Sequence, residues 1–235
     1  SGCGKTTLLH LAAGLLTVQQ GQVVNGFAST AFMFQQARLL PWKSALDNIA
    51  LGLKAAGMAR QQRQAKVRQL AARMGLTEDD LDKFPAALSG GMQSRAALAR
   101  TLATEPDLLL LDEAFAALDI GLKSELYGLL ADERHARSLG VLMITHDLGI
   151  IAETCDDVAV MYAGQIVEYG TVEDIFYDPR HPYTWSLLSS LPQLANSKGE
   201  LFSIPGTPPS LYTPVVGDAF APRSDFAMQI DFEEA

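Results

Sequence analysis

Apolar residues recur at helical spacing near the start of the chain, where Leu8, Leu9, Ala12, Leu15 and Leu16 share one face and predict a helix over 5–16. Residues 21–36 are short and β-rich. Residues 45–84 read as helical, and within them Val67, Leu70, Ala71 and Met74 form an apolar stripe over 59–74. Arg60, Arg63, Lys66, Arg68 and Arg73 surround that stripe and are expected to form a solvated face. Residues 85–91 break the helical texture, and a further helix is expected over 92–102. The pattern then changes. Leu108-Leu109-Leu110-Leu111 is a continuous apolar run, the form taken by a parallel strand covered on both faces. Residues 141–145 make a second such run, and the helical stretch between them completes a strand–helix–strand unit. Residues 158–162 and 165–169 predict a hairpin turning at Ala163-Gly164. Beyond about residue 178 the periodicity fades. Pro179, Pro182, Pro192, Pro205, Pro208, Pro209, Pro214 and Pro222 punctuate a stretch read as an extended appendage without a core of its own. There is no internal repeat.

Composition narrows the classes. The chain has 235 residues, 48% hydrophobic and 19% charged, which suits one large domain or one domain with an appendage. Its net charge of -9 argues against a nucleic-acid binder held by phosphate contacts. No apolar run has the length of a membrane span, since the run at 108–111 meets Asp112 and Glu113 at once. No signal peptide is visible. Cys3 and Cys155 make no disulfide framework and fit a reducing compartment, with Cys3 read as a packing residue.

Ser1-Gly2-Cys3-Gly4-Lys5-Thr6-Thr7 matches the back end of G-x-x-x-x-G-K-[ST]. Backbone N–H groups freed by Gly2 and Gly4 can cradle phosphate oxygens, and the following helix turns its positive end toward the same anion. Lys5 adds a charge for the β- and γ-phosphates, and the Thr6 hydroxyl suits Mg²⁺. A glycine-rich turn before a helix is the bland alternative. The motif's first glycine would precede residue 1, so the chain reads as truncated at its start. The second element is the apolar run closed by Asp112 and Glu113, which sets two carboxylates at the carboxyl edge of a parallel sheet. Asp112 would hold Mg²⁺ through its water shell, and Glu113 is placed as general base toward an attacking water. A strand ending in a charged turn is the alternative.

Leu88-Ser89-Gly90-Gly91-Met92-Gln93, followed by Arg95, resembles the signature motif of ATP-binding-cassette (ABC) ATPases. The Ser89 hydroxyl and the Gly90, Gly91 and Met92 segment at a helix start can bind a γ-phosphate. The resemblance implies that this phosphate belongs to a nucleotide held by a partner subunit. Gln35 matches the glutamine that senses Mg²⁺ and water, with Gln36 the alternative. Ala117-Leu118-Asp119 matches the segment whose Asp contacts the partner, and Ile144-Thr145-His146-Asp147 the switch whose His contacts the γ-phosphate. His10, His135 and His181 receive no role. Ser94 departs from the family, which usually has a longer polar residue there.

The resemblance implies an α/β P-loop fold of ABC ATPase type. It would comprise a nucleotide-binding domain over 1–177, a helical subdomain at about 38–104, and a C-terminal extension over 178–235. It also implies ATP and Mg²⁺ as ligands and hydrolysis in a homo- or heterodimer. Further implied partners are transmembrane permease subunits and, indirectly, an extracellular solute-binding protein, with no nucleic acid. The expected location is the cytoplasmic face of the membrane. A soluble ABC ATPase and an inactive fragment are the rival readings.

Two regions bear on cargo. Phe34-Gln35-Gln36-Ala37-Arg38-Leu39-Leu40-Pro41-Trp42 resembles importers of nitrate, sulfonates and taurine. Asp178-Pro179-Arg180-His181-Pro182-Tyr183-Thr184 and Ile204-Pro205-Gly206-Thr207-Pro208-Pro209 resemble the extension of oligopeptide, dipeptide and nickel importer ATPases. Asp218, Ser224 and Asp231 stand where many of those carry cluster-binding cysteines, so no iron–sulfur cluster is expected. The substitutions resemble the cysteine-free oligopeptide group of Gram-positive bacteria, and peptide is the favoured cargo. The divergence between the halves fits one divergent lineage or a join near Thr145-His146-Asp147-Leu148.

Overall fold

The computed structural model describes residues 3–116, 118–190, 204–210 and 215–233. Expectations resting on Ser1, Gly2, Ala117, Pro192 and Pro214 lie outside the described residues. The chain forms two compact units, one of Thr6–His146 and one of Ser1–Lys5 with Asp147–Ala235.

In the first unit, β1 (Thr30–Met33), β2 (Leu108–Asp112) and β3 (Gly140–Ile144) form a parallel sheet in that order. Phe32, Leu110 and Leu142 stand side by side across it. The central strand β2 is buried at every position, because leucine faces both sides of the sheet. Helix α1 (Lys5–Ala12) sets Leu9 against Leu108 and Leu110, with Phe32 and Ile144 closing the cluster. It ends four residues earlier than the periodicity predicts. Gly14 takes φ +69° and the Leu15 and Leu16 amides turn back to the His10 carbonyl, leaving both leucines exposed. The β-rich stretch 21–36 contributes only β1.

The helical region over 45–84 is four pieces: α2 (Ala45–Ile49), α3 (Leu51–Ala55), α4 (Arg60–Arg73) and α5 (Glu78–Asp82). Gly57 at φ +77° and Gly75 at φ +69° supply two of the breaks. Val67, Leu70, Ala71 and Met74 are buried as the stripe requires. The charges around it are engaged rather than merely solvated, with Lys66, Arg68 and Arg73 paired to Glu105, Glu78 and Glu133. Helix α6 (Gly90–Leu102) begins two residues before the expected start, because the Ser89 hydroxyl accepts the Met92 N–H at 3.2 Å. Helix α7 (Ile120–Arg137) completes the β2–α7–β3 crossover.

Thr77 and Asp80 form a reciprocal capping box at α5, and Lys83 donates to Asp80 at 2.7 Å. These bonds, with Lys83 first, hold the Asp80 carboxyl down at about 2 against an ordinary 3.8. A lowered folded value stabilises the fold above the ordinary value and loses that effect as pH falls through the folded one. Asp80→Asn is therefore expected to unfold more easily than wild type at neutral pH. The gap should close between pH 3.8 and about 2, as urea titrations at several pH values would register.

In the second unit, β4 (Asp157–Tyr162) and β5 (Gln165–Thr171) form the expected hairpin, with Ala163 at φ +46° and Gly164 at φ +88°. Helix α8 (Leu148–Thr154) precedes it and α9 (Val172–Tyr177) follows. The stretch beyond 178 is not simply extended. It holds α10 (Pro182–Ser189) and contributes to a core of Tyr162, Ala219 and Phe220 ringed by Val167, Tyr183 and Ile204. Arg223 donates to the Tyr162 hydroxyl at 2.9 Å and to the carbonyls of Ile204, Pro205 and Gly206. Asp218 donates its N–H to the Asp231 carbonyl at 2.7 Å, and the Ser224 hydroxyl accepts the Phe226 N–H at 3.2 Å.

Candidate functional site

The carboxyl end of β2 delivers Asp112 as its last residue and Glu113 just beyond it. Asp112 is buried at 8% exposure, and the Thr6 hydroxyl donates to its Oδ1 at 3.1 Å. Thr6 reaches it from the first turn of α1, seated on the sheet by Leu9. A buried carboxylate with one neutral side-chain donor among the described residues is poorly compensated unless a cation joins it. The two oxygens, Thr6 Oγ1 and Asp112 Oδ1, form a hard-ligand pair suited to Mg²⁺, which takes few protein ligands and completes its shell with water and phosphate. Among the described residues there is no group of three or more His, Cys, Asp or Glu side chains able to cage a metal unaided.

Glu113 is held from three directions. Its N–H donates to the Ile144 carbonyl at 3.0 Å, fastening it across the ends of β2 and β3. Gln35 Nε2 donates to Oε2 at 3.2 Å, and His146 Nε2 lies 3.0 Å from Oε1. The backbone of Glu113 sits at φ +47°, a left-handed conformation that costs a side-chain-bearing residue energy and recurs at functional sites. Its side chain is 18% exposed and that of His146 is 60% exposed, so the carboxylate is enclosed while the imidazole reaches outward. Five residues singled out from the sequence thus meet at one sheet edge in a pair and a trio: Thr6 with Asp112, and Gln35 and His146 with Glu113.

The other sequence-predicted residues occupy helix starts. Lys5 opens α1 and donates to Cys3 Sγ at 3.0 Å, with Gly4 at φ +88°. Thr7 lies in the first turn of α1. Ser89, Gly90, Gly91 and Met92 form the start of α6, where the Ser89 hydroxyl is the cap. Asp119 caps α7, its Oδ1 accepting the Leu122 N–H at 2.9 Å. A Cβ on Gly91 would stand 2.4 Å from Leu122 Cδ2, so this glycine also lets the starts of α6 and α7 pack.

Two supporting residues went unnoticed in the sequence. Asn48 is fully buried, and its amide bonds the Leu40 N–H and the carbonyls of Leu40, Lys43 and Ser44 at 2.7–3.1 Å. Arg100 donates to the carbonyls of Ala37 and Arg38, each at 2.8 Å. Burial pushes its guanidinium down from the ordinary value. Both pin the segment that follows Gln35. A sequence signal existed for Asn48, a polar residue between Ala45 and Ile49 on a buried helical face.

Two family models match: ABC transporter over residues 1–116, and oligopeptide/dipeptide transporter, C-terminal region, over residues 167–230. The dipeptide transport ATP-binding protein DppD of Bacillus subtilis is 34% identical over 249 residues, covering 95% of this chain and 74% of that protein. The oligopeptide transport ATP-binding protein AmiE of Streptococcus pneumoniae is 57% identical over 164 residues, or 69% of this chain and 46% of that one. The chain spans about half the length of the oligopeptide relatives it matches. A dimeric ATP-binding cassette solved in a post-hydrolysis state with ADP and Pi superposes with a TM-score of 0.67 at 25% identity, covering 73% of this chain and 82% of that one. None of the relatives named here is a nitrate, sulfonate or taurine importer. No helix among the described residues is long and apolar enough to cross a membrane.

Proposed function

The chain belongs to the ABC transporter family, and from that premise we propose that it is the ATP-hydrolysing subunit of an oligopeptide importer. The observation that carries the catalytic part is the Glu113 carboxylate, held by Gln35 and His146 beside the Thr6–Asp112 pair. The match of residues 167–230 to the oligopeptide/dipeptide C-terminal region supports the cargo.

The reaction is ATP + H₂O → ADP + phosphate. The amides of the loop over residues 1–6 and the Lys5 ammonium bind the phosphates. Thr6 and Asp112 would hold Mg²⁺, which would supply positive charge to offset that of the phosphates. A carboxylate has about four lone-pair positions, and Gln35 and His146 take two, so Glu113 keeps acceptor capacity for a water hydrogen. Glu113 takes a proton from that water as its oxygen bonds the γ-phosphorus and the bond to the ADP oxygen breaks. Gln35 and His146 fix the direction of the carboxylate, which matters because phosphoryl transfer depends on positioning and charge stabilisation.

The start of α6, with Ser89, Gly90, Gly91 and Met92, serves the nucleotide of a second ATPase subunit, and Asp119 contacts that subunit. Each ATP then bridges two chains and favours the closed pair, and hydrolysis removes the bridge. Transmembrane permease subunits receive the closure through Gln35 and the segment after it. The subunit works at the cytoplasmic face of the membrane.

Vesicles carrying the intact transporter, with ATP on the side of this subunit, test the reading. Labelled oligopeptides are expected to be taken up only with hydrolysable ATP. Uptake of nitrate or taurine in place of peptides would overturn the cargo assignment, and peptide uptake unaffected by Lys5→Ala would overturn the role of this subunit as the motor.

A further inference from the structure

Two helix starts, Ser89 at α6 and Asp119 at α7, must meet a second subunit together if each ATP is to bridge two chains. Both are placed to do so. Ser89, Gly90, Asp119 and Ile120 are exposed, and Ile120 leaves 84% of its surface open. Each cap, however, holds only its own helix: the Ser89 hydroxyl accepts the Met92 N–H, and Asp119 accepts the Leu122 N–H. A further contact is needed to keep the two starts in step.

Arg95 follows the signature segment and has no part in the chemistry described above. It is the sixth residue of α6, and Glu125 is the sixth of α7. Arg95 Nη2 donates to Glu125 Oε2 at 2.7 Å, and Nη1 donates to the Met74 carbonyl at the end of α4 at 2.8 Å. One guanidinium thus joins three helices, a task suited to its planar fork and not to a single ammonium. Its side chain is 16% exposed, and a Cβ on Gly75 would collide with Nη1, so the fork lies in a slot that this glycine leaves open. Nearer the starts, Gly91 backs onto Leu122 with no room for a Cβ. Gly91 to Arg95 and Leu122 to Glu125 are each one turn, in the same sense along both helices. Two contacts a turn apart oppose both sliding and rolling, where one alone would leave the helices free to pivot. The ion pair stands about 9 Å along from each cap, so both starts lie on the same side of the tie.

We propose that Arg95 is a positioning residue for the composite nucleotide site: through Glu125 it locks the starts of α6 and α7 into one element, so that Ser89 and Asp119 reach the second subunit as a unit. This rests on the ATPase reading above. Arg95 acts on the step in which two subunits close on ATP. It leaves the subunit's own half of the site alone, because Thr6 and Asp112 are carried by α1 and β2. Glu125 is 52% exposed, and an ion pair open to water contributes little to folding, so turnover can fall without the fold loosening.

Steady-state ATP hydrolysis by the intact transporter tests this, with ADP affinity as the control, because ADP does not bridge the subunits in the proposed cycle. Glu125→Ala and Arg95→Lys are each expected to lower kcat about three- to fivefold, the scale of a half-open ion pair, with ADP affinity and unfolding midpoint as in wild type. The double variant should be no slower than the slower single one, since both changes remove the same tie. Losses that multiply would show that the two residues act separately and would overturn the proposal, as would wild-type kcat in both single variants. An ADP affinity or an unfolding midpoint that falls in step with kcat would overturn it too, leaving the pair a support of the fold alone. Absence of hydrolysis by the wild-type transporter is a different result, which removes the ATPase reading and this inference with it.

Discussion

Glu113→Gln is expected to lower ATP turnover about 10²- to 10⁴-fold while ATP still binds, the range attributed to a positioned general base. The substitution keeps the volume and the strained backbone at φ +47° but replaces one acceptor oxygen by an amide that cannot take a proton. Both neighbours of the carboxylate are donors, Gln35 Nε2 at 3.2 Å and His146 Nε2 at 3.0 Å, so the new amide can satisfy only one of them with its oxygen. Loss of turnover should therefore accompany a small change in folding stability. Because ATP bridges two subunits in the proposed cycle, the variant should also accumulate as an ATP-bound dimer on size-exclusion chromatography. Wild-type turnover in Glu113→Gln would remove this residue from the base role. Lost turnover with lost ATP binding would instead point to collapse of the site.

The site was legible in the sequence because its chemistry is carried by short contiguous motifs attached to strongly patterned elements. Four leucines in a row can hardly be anything but a buried strand, and Asp112 and Glu113 follow directly, so their place at the sheet edge is fixed by counting. Gln35 and His146 lie 78 and 33 positions from Glu113, and only the resemblance to a known family joined them to it. The region over 45–84 is helical as expected, but its division into four helices is not legible, for a local reason. Gly57 and Gly75 were available as stops, but the apolar stripe between them has the same period as the flanking helices, and periodicity alone does not register a break. Helix α10 is where the residues mislead. Pro182 reads as one of the prolines that interrupt structure, whereas it occupies the first turn, where a missing N–H costs nothing, and the His181 ring accepts the Tyr183 N–H at 3.1 Å as the cap. The pairing of β1 with β2 joins residues as far apart as Thr30 and Leu108 and has no local signature.

Asn48→Ala is expected to destabilise the Thr6–His146 unit by about 2–4 kcal/mol, because each buried polar group left without a partner costs about 1–3 kcal/mol and four such groups now share one amide. Those groups are the Leu40 N–H and the carbonyls of Leu40, Lys43 and Ser44. Ser44 accepts a second bond in the ladder, from the Asn48 N–H, so its carbonyl loses less than the others. The 40–44 segment should exchange its amide hydrogens faster in the variant, and a shift in urea midpoint below the equivalent of about 0.5 kcal/mol would show that Asn48 merely fills space. Asn48→Asp separates the donor role from the acceptor role. Aspartate can still accept from Leu40 N–H, but its charged form places negative oxygens against three carbonyls in a fully buried position. Burial and those carbonyls raise its folded pKa above the unfolded value of about 3.9. A raised folded value means that stability is greatest below the unfolded pKa and falls as pH rises through the folded one. Asn48→Asp should therefore be more stable at pH 5 than at pH 8 relative to Asn48→Ala, whose deficit does not involve a titrating group. Equal deficits for the two variants at both pH values would show that the three carbonyls turn to solvent and that the buried amide does not organise the segment after Gln35.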